Sequence, residues 1–468
     1  MLEVKVALKT ADLGHLTNFK KSRFWFIFRP WYFCNISKGT YILQTFNSCA
    51  ILGHMRILLI ETINVSRGDG VETRYPPLSL AYLAANIPKN LNPEIMILRG
   101  GPEVAKYVRG LRPEVVGITS VTQNFNIALK IIEAIQGATN APIVMGGHHV
   151  THCPESVPDG IFKVIGEGEK TFNEILHTIK IGDIRNHSNY WEGRPVENLD
   201  ELKPPIRYAG QLFNKEAHIM TSRGCPFDCV FCSSCNFWHG VRFHSPEHVV
   251  SEIKRLVKEQ GVSAINIYDD LFAFNKSRLQ KIYELIRDDT VIKNGDIEFS
   301  CLARASILDK DTVKLLKKIG VRNVAMGLES GNDEILKYLK GPKAHVKDNL
   351  KAIKLLNDYN INVVASFVYG APEETYEQAM ESIALAADVR IITGEAYLII
   401  PYPGTPLWKK WKKEGWQKRA STQKVCDWSR FNSDFGAVKD RPIIVSEQMT
   451  AEQLWTVKEG FDEVFKSK

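Results

Sequence analysis

The chain has 468 residues, 44% of them hydrophobic and 24% charged, with a formal net charge of +7. That length exceeds what one hydrophobic core serves, so more than one domain is expected, and the composition is that of an ordinary globular protein. No apolar run approaches the roughly 18 residues that a spanning helix needs, which excludes a transmembrane reading, and nine cysteines, an odd number gathered around one motif, suit a reducing cytoplasm better than a disulfide framework.

Residues 1–54 hold seven Lys/Arg against Glu3 and Asp12, so most of the excess charge sits there. The remainder is nearly neutral and carries no footprint for a polyanion, so no nucleic-acid partner is expected. This segment has no sustained period, and its FWFIFRPWYF stretch gathers aromatics around a helix-breaking proline. It reads as a dispensable extension of uncertain order. Regular structure begins at Met55 with the buried-strand pattern MRILLI. Over residues 55–180, strand candidates Arg56–Ile60, Glu94–Leu98, Val115–Thr119, Pro142–Met145 and Phe162–Ile165 alternate with helical patterns such as Leu78–Asn86 and Phe125–Ile135. Such alternation predicts an α/β, doubly wound parallel sheet with ligands beyond the carboxyl ends of its strands. Gly146 and Gly147 in MGGHHVTHCPE, and Gly166 and Gly168 in VIGEGEKTF, allow tight turns at two of those ends and leave room for a flat ligand.

Residues 181–215 are polar and rich in turn formers, and read as a linker. A second alternation follows, with strand candidates His218–Thr221, Ala264–Tyr268, Ile297–Ser300, Val324–Gly327, Val363–Tyr369 and Ala396–Ile400. Amphipathic helices such as Pro246–Glu259, Lys310–Ile319 and Ala344–Asp358 separate them. Six βα units are too few for the usual closed eight-stranded barrel, so residues 216–408 predict an open, partial (β/α)6 TIM-like barrel. Residues 409–468 form a C-terminal helical region. Its beginning, LWKKWKKEGWQKR, reads as a solvated helix face with Trp408, Trp411 and Trp416 as anchors rather than as an RNA contact.

The stretch RGCPFDCVFC places Cys225, Cys229 and Cys232 just after the first strand of that barrel. Three thiolates hold three irons of a cubane cluster and leave the fourth iron open. The alternative is a zinc knuckle completed by Cys235 or His239, but zinc sites favour two separated CxxC-type pairs. CxxxCxxC in this setting resembles the radical S-adenosylmethionine superfamily. The later strand ends match in order, with YDDLFAFN, CLAR, GLESG, FVYGAPEET and PYPGTPL extending the resemblance over residues 218–407. It implies a 4Fe-4S cluster on the three cysteines, S-adenosyl-L-methionine at the open iron, and a low-potential electron donor such as ferredoxin or flavodoxin. It also implies roles around the sulfonium ligand. Asp269 or Asp270 accepts from its ammonium group, or caps the helix that follows. Arg304 pairs with its carboxylate, or with Glu329. Glu329 or Ser330 binds carboxylate-side waters or ribose hydroxyls, and Gly370 and Pro372 let backbone approach the adenine.

The first domain, taken with the radical module after it, resembles the cobalamin-binding subclass of that superfamily over Met55–Phe172. The resemblance implies cobalamin between the domains, its cobalt facing the S-adenosylmethionine site. The loops Asn64–Tyr75, Ser120–Asn124, Gly146–Thr151 and Gly166–Glu169 are then expected to line it. His149 is a cofactor-side candidate, but without a DxHxxG pattern a surface or hydrogen-bonding role is expected rather than cobalt ligation. The expected activity is methylation of an unactivated carbon or phosphorus centre of a small-molecule substrate. Alternatives are a cobalamin-dependent radical cyclase, oxidase or rearrangement enzyme, a methylthiotransferase acting on tRNA, and a non-catalytic corrinoid- or metal-binding protein. The methylthiotransferase needs a second three-cysteine site, whereas Cys34, Cys49 and Cys153 are dispersed.

Overall fold

A computed structural model describes residues 31–37, 40–45, 54–63, 77–207, 215–413, 427–438 and 442–468. Among these residues no helix is long and apolar enough to cross a membrane. The first sheet contains β1 (Trp31–Ser37), β2 (Thr40–Thr45), β3 (Met55–Thr62), β4 (Pro93–Gly100), β5 (Val115–Thr119), β6 (Ile143–Gly146), β7 (Phe162–Ile165) and β8 (Tyr190–Glu192). Their spatial order is β1-β2-β4-β3-β5-β6-β7-β8. β3 to β8 run parallel. Ile57, Leu58, Leu59 and Ile60 of β3 are all fully buried, as helices on both faces require of a central parallel strand.

Two expectations change here. Part of the extension before Met55 is regular: β1 and β2 pair antiparallel, and β2 pairs antiparallel with β4. Part of the linker is regular too, because β8 adds a last parallel strand on β7. Three residues are too few to carry a period that a sequence reading can detect. The sequence's other strands recur within a few residues of where their apolar runs fall.

The second sheet has the order β16-β15-β14-β13-β12-β9, from β9 (Glu216–Ile219), β12 (Ala264–Ile267), β13 (Glu298–Ala303), β14 (Val321–Glu329), β15 (Asn362–Tyr369) and β16 (Thr393–Leu398). All five pairings are parallel, and β9 pairs only with β12, so the barrel stays open between β9 and β16. Between β9 and β12 a short antiparallel pair, β10 (Ser222–Arg223) with β11 (Arg242–Phe243), closes the base of the cysteine loop.

The C-terminal region binds both domains together. Helix Ala451–Lys466 sets Phe461 against Phe367 of β15, with ring centroids 5.1 Å apart. Trp408 and Trp411 are buried and stacked, the anchors of a helix whose Lys409, Lys412 and Lys413 are exposed; Trp416 lies outside the described residues. Trp428 crosses to the first domain, where its ring meets His149 edge-on at 4.4 Å and Phe125 at 6.2 Å. Beside it, Asn126 Nδ2 donates to Asp427 Oδ1 at 2.7 Å.

Candidate active site between the two domains

The cysteine loop is tight because its ends nearly touch. Gly224 has φ +90°, and a Cβ there would lie 1.9 Å from the Gly240 carbonyl oxygen, so only glycine permits the closure. The loop is also stitched to the barrel: Val230 N donates to Leu339 O at 3.0 Å and Val230 O accepts from Leu407 N at 2.9 Å. Cys225, Cys229 and Cys232 are all half-buried and reduced. Burial pushes Cys225 up to about 11 and Cys232 up to about 12, each further raised by the neighbouring thiols and Asp270.

The three sulfurs do not all lie within 4.8 Å of one another. A tetrahedral zinc with bonds of about 2.3 Å brings its sulfurs within about 4 Å of one another. Among the described residues, the only three potential ligand groups that converge within 4.8 Å are Asp200, His244 and His248. That set anchors the segment before the barrel: Asp200 Oδ1 accepts from His244 Nδ1 at 3.1 Å and from Ser245 N at 3.0 Å. It sits at the positive N-terminal end of helix Pro246–Gln260, which disfavours a cation.

Around the triad the residues expected at the sulfonium ligand divide. Arg304 Nη1 donates to Cys229 Sγ at 3.3 Å and Nη2 to Lys340 O at 2.8 Å, with its guanidinium 4.0 Å above the Phe227 ring. It does not pair with Glu329. That partner is Lys340, whose Nζ lies 3.3 Å from Glu329 Oε1 and also donates to Gly327 O at 2.6 Å. Glu329 holds φ at +62°, unusual for a residue with a side chain. Asp270 faces the loop, accepting from Ser234 Oγ at 2.5 Å.

Asp269, Ser330 and Pro372 have partners within the protein. Asp269 is fully buried and accepts from Thr221 N, Thr221 Oγ1 and Ser222 N, so it braces the end of β9 instead of meeting an ammonium group or capping a helix. Ser330 is fully buried against Ser382 Oγ at 3.1 Å. Pro372 O accepts from Glu447 N of the C-terminal segment. Gly370 has φ +83° and its N–H is held at 2.6 Å by Glu374, whose burial pushes it up to about 7.

A cavity of about 270 Å³ lies where the first sheet's strand ends meet the barrel mouth. Its first-domain wall includes Ser120, Gly146, Gly147, Gly166 and Gly168; Met220, Arg223, Phe237 and Trp238 close it from the barrel side. Gly147 has φ +104°, and a Cβ would lie 2.8 Å from Ser120 O. A second space adjoins it at the ends of β3 and β5, sharing Ser79, Thr119, Ser120 and Val121. This is where the strand order reverses, the customary ligand position in such sheets. The expected loop Asn64–Tyr75 lies outside the described residues.

His149 does not reach the cavity and is not on the surface. It is fully buried, with Nδ1 3.1 Å from Thr122 Oγ1 and Nε2 2.9 Å from Ser156 Oγ. Ser156 donates its own proton to Cys153 O, so it accepts from Nε2–H, and Nδ1 accepts from Thr122. Both nitrogens are thus occupied in a neutral ring, and burial lowers its pKa to about 3. His148 lines the cavity instead, stacked on Phe237 at 4.0 Å. The sequence offered adjacent histidines after a glycine pair, and only the helical turn His148–His152 decides which one faces inward.

A doubly wound sheet set against an open six-stranded barrel that carries a three-cysteine loop is the architecture with which the comparisons agree. Residues 219–386 match the radical SAM superfamily and residues 68–176 the B12 binding domain. An uncharacterized methyltransferase of Pyrococcus horikoshii is 31% identical over 373 residues, covering 72% of this chain and 79% of that protein. The anaerobic magnesium-protoporphyrin IX monomethyl ester cyclase of Cereibacter sphaeroides is 25% identical, covering 81% of this chain and 66% of the cyclase. The radical S-adenosylmethionine methyltransferase TsrM from Kitasatospora setae, solved with tryptophan and an S-adenosylmethionine analogue, shares the fold with a TM-score of 0.64 at 17% identity, covering 81% of this chain and 83% of TsrM. The chain belongs to the B12-binding radical S-adenosylmethionine family.

Proposed function

We propose that the protein methylates an unactivated carbon or phosphorus centre of a small molecule, using a 4Fe-4S cluster, S-adenosylmethionine and cobalamin. The observation that carries this is the single cavity walled by both the glycine-rich strand ends and the cysteine loop. The residues present fit the cofactors: three half-buried thiols on one short loop, and a cavity between the domains with side-chain-free turns on one wall. When bound, these groups supply hydrogen-atom abstraction and a methyl carrier.

The chain's own residues prepare that chemistry. Cys225, Cys229 and Cys232 hold the cluster, and the Arg304 donor to Cys229 Sγ favours its thiolate form. Asp270 and Glu329, both near the triad, are the acceptors for the ammonium and hydroxyl groups of S-adenosylmethionine, and the Gly370 turn lies on the adenine side. Gly146, Gly147, Gly166, Gly168 and His148 seat the corrinoid. Phe237 and Trp238 exclude water from the space between the centres. The reductant is a low-potential donor of the ferredoxin or flavodoxin type, and the reduced thiols suit the cytoplasm.

The test is anaerobic reconstitution with iron, sulfide and hydroxocobalamin, followed by assay for 5′-deoxyadenosine and by comparison of metabolites from cells with and without the protein. A product heavier by one methyl group is expected. A product that has lost hydrogen without gaining carbon would assign a cyclase or oxidase, and a cluster that never cleaves S-adenosylmethionine would leave only binding.

A further inference from the structure

The cysteine loop, residues 224–241, is tied at its base by one short pair of strands, in which Ser222 faces Phe243 and Arg223 faces Arg242. Facing arginines repel unless carboxylates stand between them. Both carboxylates come from the other domain. Arg223 Nη1 donates to Glu167 Oε2 at 2.5 Å and Nη2 to Glu169 Oε1 at 2.5 Å. Arg242 Nη2 donates to the remaining oxygen of Glu167. Glu167 is thereby shared by both arginines, and its side chain is 2% exposed.

The group is charge-balanced, two cations with two anions, and fixed from outside as well. The Arg223 guanidinium lies 5.0 Å from the Trp238 ring and 5.8 Å from the Tyr82 ring. Arg242 also donates to Trp238 O at 3.1 Å and Val196 O at 2.7 Å. Its position matters more than its strength, because a buried ion network rarely outdoes well-packed apolar residues in stability. Glu167 and Glu169 flank Gly168 in the cavity wall, and Arg223 stands two residues before Cys225.

We infer that Arg223, Arg242, Glu167 and Glu169 are positioning residues that set the separation between corrinoid and cluster. They do so by clamping the corrinoid-side turn to the base of the cysteine loop. This rests on the reading that both cofactors bind. Fork-shaped donors meeting carboxylates fix direction as well as distance, which a hydrophobic contact does not. None of the four is an iron ligand and Arg242 stands outside the cavity wall, so losing the clamp at Arg242 misaligns two loaded sites instead of emptying one.

The experiment uses the full chain, reconstituted with iron, sulfide and hydroxocobalamin and reduced until cluster and cobalt are both paramagnetic. Pulsed dipolar electron paramagnetic resonance then measures the distance between them, while iron and corrinoid contents are determined on the same samples. The wild type should give one narrow distance. R242Q, at the arginine of the clamp that does not line the cavity, should keep both contents and lose the single narrow distance; E167Q and R223Q should keep iron and lose that distance too, with R223K, which retains charge but not the fork, falling between. An unchanged distance in R242Q or E167Q overturns the inference, as does a broad distribution in the wild type or an iron content that falls with the substitution. A wild type that takes up neither cofactor tells against the proposed function instead. The clamp is then decided by small-angle X-ray scattering of the cofactor-free proteins: expansion in E167Q supports it, and equal radii of gyration overturn it.

Discussion

Cys235 follows the triad by one helical step and its carbonyl already accepts from His239 N in the turn Ser234–Trp238. Its place inside a short helix separates it from the loop that presents the other three. Replacing Cys225, Cys229 or Cys232 with Ala should each abolish the iron-dependent visible absorbance, whereas C235A should leave it intact; equal loss at Cys235 would require a four-ligand site. Lys340 tests a different part of the same centre. It is the partner of Glu329, and both side chains are 8% exposed. Removing one member strands the other's charge, a penalty of about 3–5 kcal/mol. K340M should therefore lower the thermal midpoint markedly, and K340M/E329Q should recover part of the loss. A single variant that melts like the wild type would show that the pair carries no such charge. Lys340 was invisible to motif reading because it lies at the end of an amphipathic helix, where a lysine ordinarily caps the dipole in solvent.

At the scale of the element, the turn His148–His152 is the best example of a legible position with an illegible orientation. The glycine pair before it marks a strand end in any sequence, but facing is set by how the following turn packs under Phe125 and Trp428. Burial lowers His148 to about 4 and His149 to about 3, from an ordinary value of 6.5. Both rings are therefore neutral in the fold, and below about pH 6.5 the unfolded chain takes up their protons first. Stability should fall as pH drops from about 6.5 toward 3 and level off below the folded values, with His149 contributing on the order of a few kcal/mol. Urea midpoints measured across that range should decline less steeply in H149Q than in the wild type. Parallel curves would mean that His149 is protonated in the fold or exposed to solvent.

Over the whole molecule, two rounds of strand and helix alternation were enough to read two α/β domains, because continuous apolar runs and 3.6-residue periods survive in any context. What escaped was contributed by partners distant in sequence. Asp269 turned inward because Thr221 and Ser222 offer it three donors, and the segments outside the alternations joined the first sheet through backbone pairing that leaves little pattern. The hairpin of β1 and β2 bears on the expectation that residues before Met55 are dispensable. A chain beginning at Met55 lacks the strand that pairs Tyr41 with Arg99 and Gln44 with Met96, so β4 becomes a bare edge. Bare edges recruit other chains. The shortened protein should keep its corrinoid and iron uptake while its apparent mass in size-exclusion chromatography rises with concentration. A well-behaved monomer would show that the hairpin is not needed to cover that edge.

Trp428 and Asp427 meet Phe125, Asn126 and His149 across roughly 280 to 300 positions of chain. On a ribosome adding about 5–20 residues per second, Trp428 arrives some 15–60 s after those partners have emerged. The first domain is thus born with one side of its core uncovered, and its final packing waits for a segment made some 280 residues later. Truncation from the carboxyl end should consequently injure the domain nearest the amino end, and a stalled or clipped chain would present Phe125 to chaperones as unfinished.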